Sequence, residues 1–371
     1  MEFQKTNLGE LSVNGKGSYG IAASAVPYSD DLFNYLRITD INDDGTLNKS
    51  GLMSVSDEKA EQYLLKPNDI VFARTGGSTG RSYFYDGTDG EFVYAGFLIK
   101  FSIDSTKVNP RFIKYYCLSQ EYRGWVHSFN TGSTRGNINA QTYANMPILL
   151  PSREQQDLLV DTLSVIDEKI KLNTAINENL EQQAQAIYRS MFVTQHHDSE
   201  RMGLLSELIA VKYGKDHKKL NDGVYPVYGS GGVMRYVERP LYDKESVLIP
   251  RKGSLNNVMY VNEPFWSVDT MFYTEMKQPN VAKFVFHFVK SKDLASLNAG
   301  SAVPSMTTDI LNSMELRIPS ADRLAEFEGL VAPLYRAIED NTRQSARLAA
   351  LRDTLLPKLM SGEIDVSEVK I

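Results

Sequence analysis

The sequence predicts an α+β protein in which two duplicated α/β globules are separated by two long helices. The helices are expected to form an antiparallel coiled coil with pseudo-two-fold symmetry. Three observations carry this. The stretch from Gly132 to Phe192 falls without a gap on Gly300 to Met360, 168 residues further on. Ahead of each copy lie short β-branched and aromatic runs broken by glycine-rich turns. Behind Pro151 and behind Pro319, apolar residues recur at alternating steps of four and three, the signature of a heptad seam.

The chain has 371 residues, enough for two or three domains at about 100–200 residues each. Hydrophobic residues make up 42% and charged residues 23%, a globular composition rather than a disordered one. With 40 basic and 46 acidic side chains the net charge is −6. That excludes a protein that wraps nucleic acid with its whole surface but leaves room for a local basic face. The single cysteine, Cys117, excludes an internal disulfide framework and a cysteine-based zinc cluster. Between Tyr116 and Leu118 it reads as core filler. No run of 18 apolar residues is present and the first residues lack the pattern of a secretory signal. A soluble, cytoplasmic protein is expected, with no membrane partner.

In chain order, residues 1–150 form the first globule. Asp69 to Ala73 and Phe92 to Phe101 read as strands, Gly76-Gly77-Ser78-Thr79-Gly80 as a turn, and Phe112 to Leu118 as a short helix. Residues 151–195 form the first long helix, with a seam through Leu159, Leu163, Ile166, Ile170, Asn173, Leu180 and Ile187. Residues 196–318 form the second globule, with a strand at Ser246 to Ile249, a turn at Gly229-Ser230-Gly231-Gly232 and a helix over Ala282 to Val289. Residues 319–371 form the second long helix and a tail, with a seam through Val331, Leu334, Ile338, Asn341, Leu348 and Leu355. Pro333 stands where the first copy has Val165 and should kink or restart that helix. About 40 residues make a rod roughly 60 Å long. Such an amphipathic helix needs a partner, and the matched seam in the same chain supplies one. Asn173 and Asn341 occupy equivalent seam positions, where a polar residue costs stability but fixes register.

Inside the globules a second echo runs at a different offset. Asp69-Ile70-Val71-Phe72-Ala73-Arg74-Thr75-Gly76 resembles Ser246-Val247-Leu248-Ile249-Pro250-Arg251-Lys252-Gly253, 177 residues on.

No catalytic centre assembles by spacing. Gly76 to Ser82 lacks the G-x-x-x-x-G-K-[ST] order of a phosphate loop. Asn109-Pro110-Arg111-Phe112 reads as a helix start, and His196-His197-Asp198 as a solvated linker with no third metal ligand at useful spacing. Neither a Ser-His-Asp set nor a metal cluster follows from five histidines.

The positive signal is basic, polar and aromatic, and it sits at turns. The first globule contributes Arg74, Thr75, Arg81, Ser133, Arg135 and Asn137. The second contributes Lys212, Lys215, Tyr228, Arg235, Arg251, Lys252, Ser254, Asn256 and Asn257. Arg and Asn are the side chains that read guanine and adenine edges, while Lys, Ser and Thr hold phosphates. Any one such loop is common on protein surfaces; two at comparable places in duplicated domains point to nucleic acid.

The whole chain resembles the specificity subunits of type I restriction–modification systems. Leu65 to Gly76 is similar to that family's first recognition-domain strand and turn. Thr131 to Ile138 followed by Met146 to Gln156 is similar to the entry into its first spacer helix. Pro226 to Gly232 and Arg251 to Ser254 resemble the second recognition domain, and Leu355 to Ile364 the family's C-terminus. Two departures fall in the second copy, where Ser320-Ala321-Asp322-Arg323 replaces the Glu-Gln-Gln signature and Gly300 to Pro304 replaces the Ser-Thr-Arg loop. The resemblance implies that the globules are target-recognition domains, each reading one half of an asymmetric two-part site on double-stranded DNA. The helical rod would set the spacer. It implies a non-catalytic chain with no cofactor of its own. Its partners would be two modification subunits, which methylate adenine using S-adenosylmethionine, and two ATP- and Mg2+-dependent restriction subunits. The alternatives are a protein scaffold or adaptor not bound to DNA, or an enzyme such as a metal-dependent nuclease.

Overall fold

The computed structural model describes residues 3–129, 136–194, 200–297 and 305–364, the side chain of Ser50 apart. The chain divides into two compact units, Met1–Leu172 with Gln344–Ile371, and Asn173–Arg343. Both boundaries fall inside the long helices Arg153–Arg189 and Ala321–Ser361.

The central sheet of the first unit has four antiparallel strands in the order Ser18–Tyr19, Leu98–Ser102, Asp69–Ala73, Ser82–Tyr85. Every residue of Asp69–Ala73 is buried, Ile70 to Ala73 as an apolar run covered on both faces requires and Asp69 as the partner of Lys100 at 3.1 Å. A second sheet is built from Ala25–Val26, Met53–Val55, Phe33–Leu36 and Phe92–Tyr94, the last two parallel. Gln4–Asn7 pairs with Pro147–Leu150 and brings the start of the chain beside the entry to the first long helix. Asn109 caps the helix Pro110–Tyr116 by accepting the Arg111 N–H, with proline at a first-turn position where its missing N–H costs nothing.

The second unit repeats this arrangement within itself. Its central sheet runs Ile209–Tyr213, Met271–Met276, Ser246–Pro250, Met259–Val261, again antiparallel throughout. Its second sheet is the hairpin Asp222–Gly229 with Gly232–Val237, plus Trp266–Ser267 in parallel. Arg201–Leu204 pairs with Glu315–Ile318, and Ala282–Lys290 is the helix at the place of Pro110–Tyr116.

Two expectations need correction. Phe92 to Phe101 is not one strand. The chain turns at Ala95–Leu98, where the Leu98 N–H donates to the Ala95 carbonyl, and Phe92–Tyr94 and Leu98–Ser102 belong to different sheets. Gly96 sits in this crossover, and the apolar residues on both sides are buried against different neighbours. Nor does Pro333 restart the second long helix, which is continuous from Ala321 to Ser361. Pro333 is exposed while Val331 and Tyr335 are buried, so packing on the opposite face carries the helix past one missing hydrogen bond.

In each unit the globule's core is completed by parts of both helices. In the first, Leu159, Val160 and Leu163 share a buried cluster with Phe72, Phe112, Tyr143, Leu356 and Leu359. In the second, Ala184, Tyr188 and Phe192 share one with Phe284, Phe327, Val331 and Tyr335. The helices run antiparallel. Asn173 donates to the Asn341 carbonyl at 3.3 Å, Asn177 donates to the Ile338 carbonyl at 3.4 Å, and the Asn341 amide donates back to Asn177 Oδ1 at 2.9 Å. Along the seam Leu159, Leu163, Ile166, Asn173 and Val331 are buried. Ile170, Leu180, Ile187, Leu334, Ile338, Asn341, Leu348 and Leu355 are half-buried.

Candidate nucleic-acid interface

The buried strand Asp69–Ala73 leads directly into Arg74. The Arg74 N–H donates to the Phe97 carbonyl at 3.1 Å and its carbonyl accepts the Ile138 N–H at 2.9 Å. Thr75 bridges Asn137, and Gly76 turns the chain at φ 79°, in the left-handed region that favours glycine. The Arg74 guanidinium carbon stands 5.1 Å from the centre of the Tyr19 ring, within cation–π range. Arg74 Nε is buried without a hydrogen-bond partner among the described residues. Tyr19 is 42% exposed and its hydroxyl accepts the Ala140 N–H at 3.2 Å.

The second unit builds the same turn. The Arg251 N–H donates to the Thr270 carbonyl at 2.9 Å and its carbonyl accepts the Met306 N–H at 2.9 Å. Lys252 bridges Ser305, and Gly253 has φ 84°. Arg251 lies 5.3 Å from the centre of the Tyr213 ring, which is 52% exposed. The two sequence offsets meet here, because Arg74 and Arg251 are 177 apart while their partners Ile138 and Met306 are 168 apart. Each tyrosine precedes a glycine held against backbone: a Cβ at Gly20 would lie 2.2 Å from the Tyr94 carbonyl oxygen, and one at Gly214 2.0 Å from that of Val268.

What lies alongside each turn differs. In the first unit it is the loop between Leu36 and Met53. Arg81 donates to Asp43 at 2.7 and 3.2 Å and to the Ile41 carbonyl at 3.0 Å. In the second unit it is the tip of the hairpin. Asn257 donates to the Ser230 carbonyl at 2.8 Å, and a Cβ at Gly253 would lie 2.7 Å from Ser230 Oγ.

The family profile described as type I restriction modification DNA specificity domain matches residues 5–182 and 204–323. The chain belongs to that family. It is the DNA specificity subunit of a type I restriction–modification system, a non-catalytic part of such a complex. The HindI specificity subunit of Haemophilus influenzae is 22% identical, with 81% of this chain and 87% of that relative covered. The MjaIX specificity subunit of Methanocaldococcus jannaschii is 22% identical over 71% of each. The crystal structure of a type I restriction-modification S subunit from M. genitalium superposes with a TM-score of 0.53 at 18% identity, covering 97% and 96% of the two chains. It shares the fold.

In this specificity subunit the other polar candidates fall into three groups. Arg81 and Arg235 are engaged internally, the latter with Asp222 at 2.8 Å and the Leu220 carbonyl at 2.9 Å. Asn256 donates to Asp293 at 3.0 Å, Lys212 pairs with Glu275 at 3.5 Å, and the Tyr228 hydroxyl donates to Glu263 at 3.0 Å. Burial and that carboxylate push the Tyr228 phenol well above its ordinary range. Lys215, Lys252, Ser254 and Asn137 are exposed. Ser133 and Arg135, like His196-His197-Asp198, lie outside the described residues. Sequence reasoning missed Tyr19 and Tyr213, although the Tyr-Gly pair that opens each sheet was a usable signal.

A groove of about 740 Å³ in the second unit, beside the strand Met259–Val261, is lined by Glu178, Glu181, Glu263 and Glu339. Its cations Lys290 and Arg343 are paired with Glu181 and Glu339. Four carboxylates against two cations make it a poor place for a phosphate. Among the described residues no group of three or more His, Cys, Asp or Glu could hold a metal ion, and no helix is long and apolar enough to cross a membrane.

Proposed function

We propose that each unit reads one half of an asymmetric, two-part DNA target and that the paired helices set the unread spacer between the halves. The observation that carries this reading is the duplicated turn, Arg74-Thr75-Gly76 and Arg251-Lys252-Gly253. Each follows a buried strand and each places an arginine against an exposed tyrosine. Arginine, backbone N–H groups and nearby hydroxyls are the contacts that proteins make to duplex DNA.

The remaining contacts proposed are Thr75, Asn137, Lys215, Lys252, Ser254 and Asn257, with Ser133 and Arg135 from the adjoining loop. Arg81, Lys212, Tyr228, Arg235 and Asn256 are also assigned to this face, on condition that their internal partners release them on binding. The chain would join two modification subunits that methylate adenine from S-adenosylmethionine. Two restriction subunits using ATP and Mg2+ would complete the complex.

The test is methylome sequencing of DNA from cells that co-express this chain with its modification subunit, against cells lacking the chain. A new methyladenine motif of two short half-sites around a fixed gap is expected. A complex that assembles and leaves no new motif would refute the reading.

A further inference from the structure

Two domains that read different half-sites cannot use the same residues to tell the bases apart. What the two units share must serve what their targets share, and what differs between them must carry the choice. This argument rests on the two-part target proposed above. The shared set is compact: Arg74 with Tyr19, Arg251 with Tyr213, and the glycine turn behind each arginine. The backbone hydrogen bonds at the two arginines match one for one, while among the described residues only Arg251 adds a guanidinium hydrogen bond, its Nη1 donating to the Asp269 carbonyl at 3.4 Å. The elements flanking them are not. The loop between Leu36 and Met53, fastened by Arg81 to Asp43, takes in the first unit the place beside the turn that the tip Gly229–Gly232 takes in the second.

We infer that Arg74 and Arg251, each positioned by its tyrosine, are anchors for DNA phosphates common to both half-sites. Base choice is made by the dissimilar neighbours, the 37–52 loop in the first half and the hairpin tip in the second. The chemistry fits. A guanidinium at a turn, oriented by an aromatic face, presents paired N–H donors that match a phosphate's two oxygens. The phosphate is the one group every DNA sequence offers at that place. The tyrosines are positioning residues; each restricts the guanidinium while leaving one of its sides open. The hairpin has the dimensions of a two-stranded ribbon that a major groove admits. On its second strand Val233, Met234 and Tyr236 are exposed, side chains suited to contact with thymine methyl groups.

The experiment uses the full chain assembled with its modification subunits, with Arg74→Ala, Arg251→Ala, Tyr19→Leu, Arg74→Lys and Ser230→Asn variants. Binding to the target and to single-base variants is measured across a salt series, and each methylome motif is read. For the arginine-to-alanine variants the motif is expected to stay the same at every base, while affinity falls by about ten-fold for all duplexes alike. The slope of log K against log salt should drop by about 1. Arg74→Lys should restore that slope, and Tyr19→Leu should lower affinity with the slope unchanged. Ser230→Asn should alter the second half-site only. Loss of discrimination at one base pair in either arginine variant would overturn the inference, as would a wild-type motif with two identical half-sites. A wild-type complex that yields no motif at all would instead overturn the two-part reading on which it rests.

Discussion

His287 lies fully buried in the second unit, where its Nε2 is hydrogen-bonded to the Tyr335 hydroxyl at 3.0 Å and its Nδ1 faces Gln185 Oε1 at 2.6 Å. Gln185 Oε1 can only accept, so Nδ1 carries a proton, while the Tyr335 hydroxyl can pair with Nε2 as donor or acceptor. Burial, helped by the charge of Lys290, holds its pKa down at about 3 against an ordinary 6.5. Because the folded state resists protonation, the full stability is present above pH 6.5 and is lost as the pH falls from there toward 3. By pH 5 the loss attributable to this residue is about 2 kcal/mol. Thermal unfolding of the isolated chain at pH 7.5 and at pH 5 should show it. His287→Asn, which keeps a donor and an acceptor, should flatten the difference; an unchanged pH dependence in that variant would rule the histidine out as its source. The same physics makes Cys117 inert, since burial drives its thiol pKa upward and away from reactivity. The sequence announced Cys117 as core because its neighbours are large and apolar. It hid His287, because one histidine inside Ala282–Lys290 looks the same whether it faces water or a tyrosine. Tyr19 and Tyr213 were missed for a different reason: the Tyr-Gly pair marks each locally, but its distance to an arginine far along the chain leaves no local pattern.

At the scale of elements, periodicity was the readable signal and its exceptions were not. The heptad steps identify both long helices, but four residues past Leu348 the second seam meets a charged residue, Arg352. In the fold Arg352 is buried and its Nη1 donates to Asp167 at 3.0 Å, while Lys114 donates to the same carboxylate at 2.6 Å and the Tyr115 hydroxyl at 3.0 Å. Burial opposes the ionisation of Asp167, yet Lys114 and Arg352 outweigh it and hold the carboxyl below its usual range. The cluster ties both long helices to the helix Pro110–Tyr116 inside one unit. Removing one partner from such a cluster strands a buried charge, so Arg352→Ala should destabilise the chain by about 3 kcal/mol. Replacing Asp167 and Arg352 together by leucine should cost little or nothing, since Lys114 is about one-third exposed (32%) and can turn to water. Urea midpoints of the three proteins test this, and a double variant as unstable as Arg352→Ala would mean that the ion pair itself supplies the stability. The crossover at Gly96 escaped the sequence for a related reason. Two buried strands of different sheets, joined by three residues, give the same apolar run as one longer strand.

At the scale of the whole molecule, the charge and the proposed task pull in opposite directions. A duplex presents one negative charge per ~1.7 Å of axis, and this chain carries a net charge of −6. Several of its cations do not stand free. Arg81, Arg235, Lys212, Lys283 and Lys290 all face carboxylates within the fold, and a groove of the second unit is lined by four glutamates. On the reading proposed above, each unit offers only one arginine turn and a few exposed polar side chains beside it to the duplex. Non-specific affinity grows with the number of phosphates neutralised, and it falls steeply with salt. The isolated chain is therefore expected to bind duplex DNA no more tightly than about 10⁻⁶ M at physiological salt. Subunits that close around the duplex would supply the missing counter-charge. Fluorescence anisotropy with one labelled target duplex, run on the chain alone and on the complex with its modification subunits, measures both states. The complex should bind at least a hundred-fold tighter and show a steeper salt slope than the chain, because more phosphates are contacted. Equal slopes with tighter binding would locate the gain in ordering this chain's own contacts. Tight, target-selective binding by the chain alone would show that its two arginine turns and their flanking elements suffice, and that its acidic body is no obstacle to recognition.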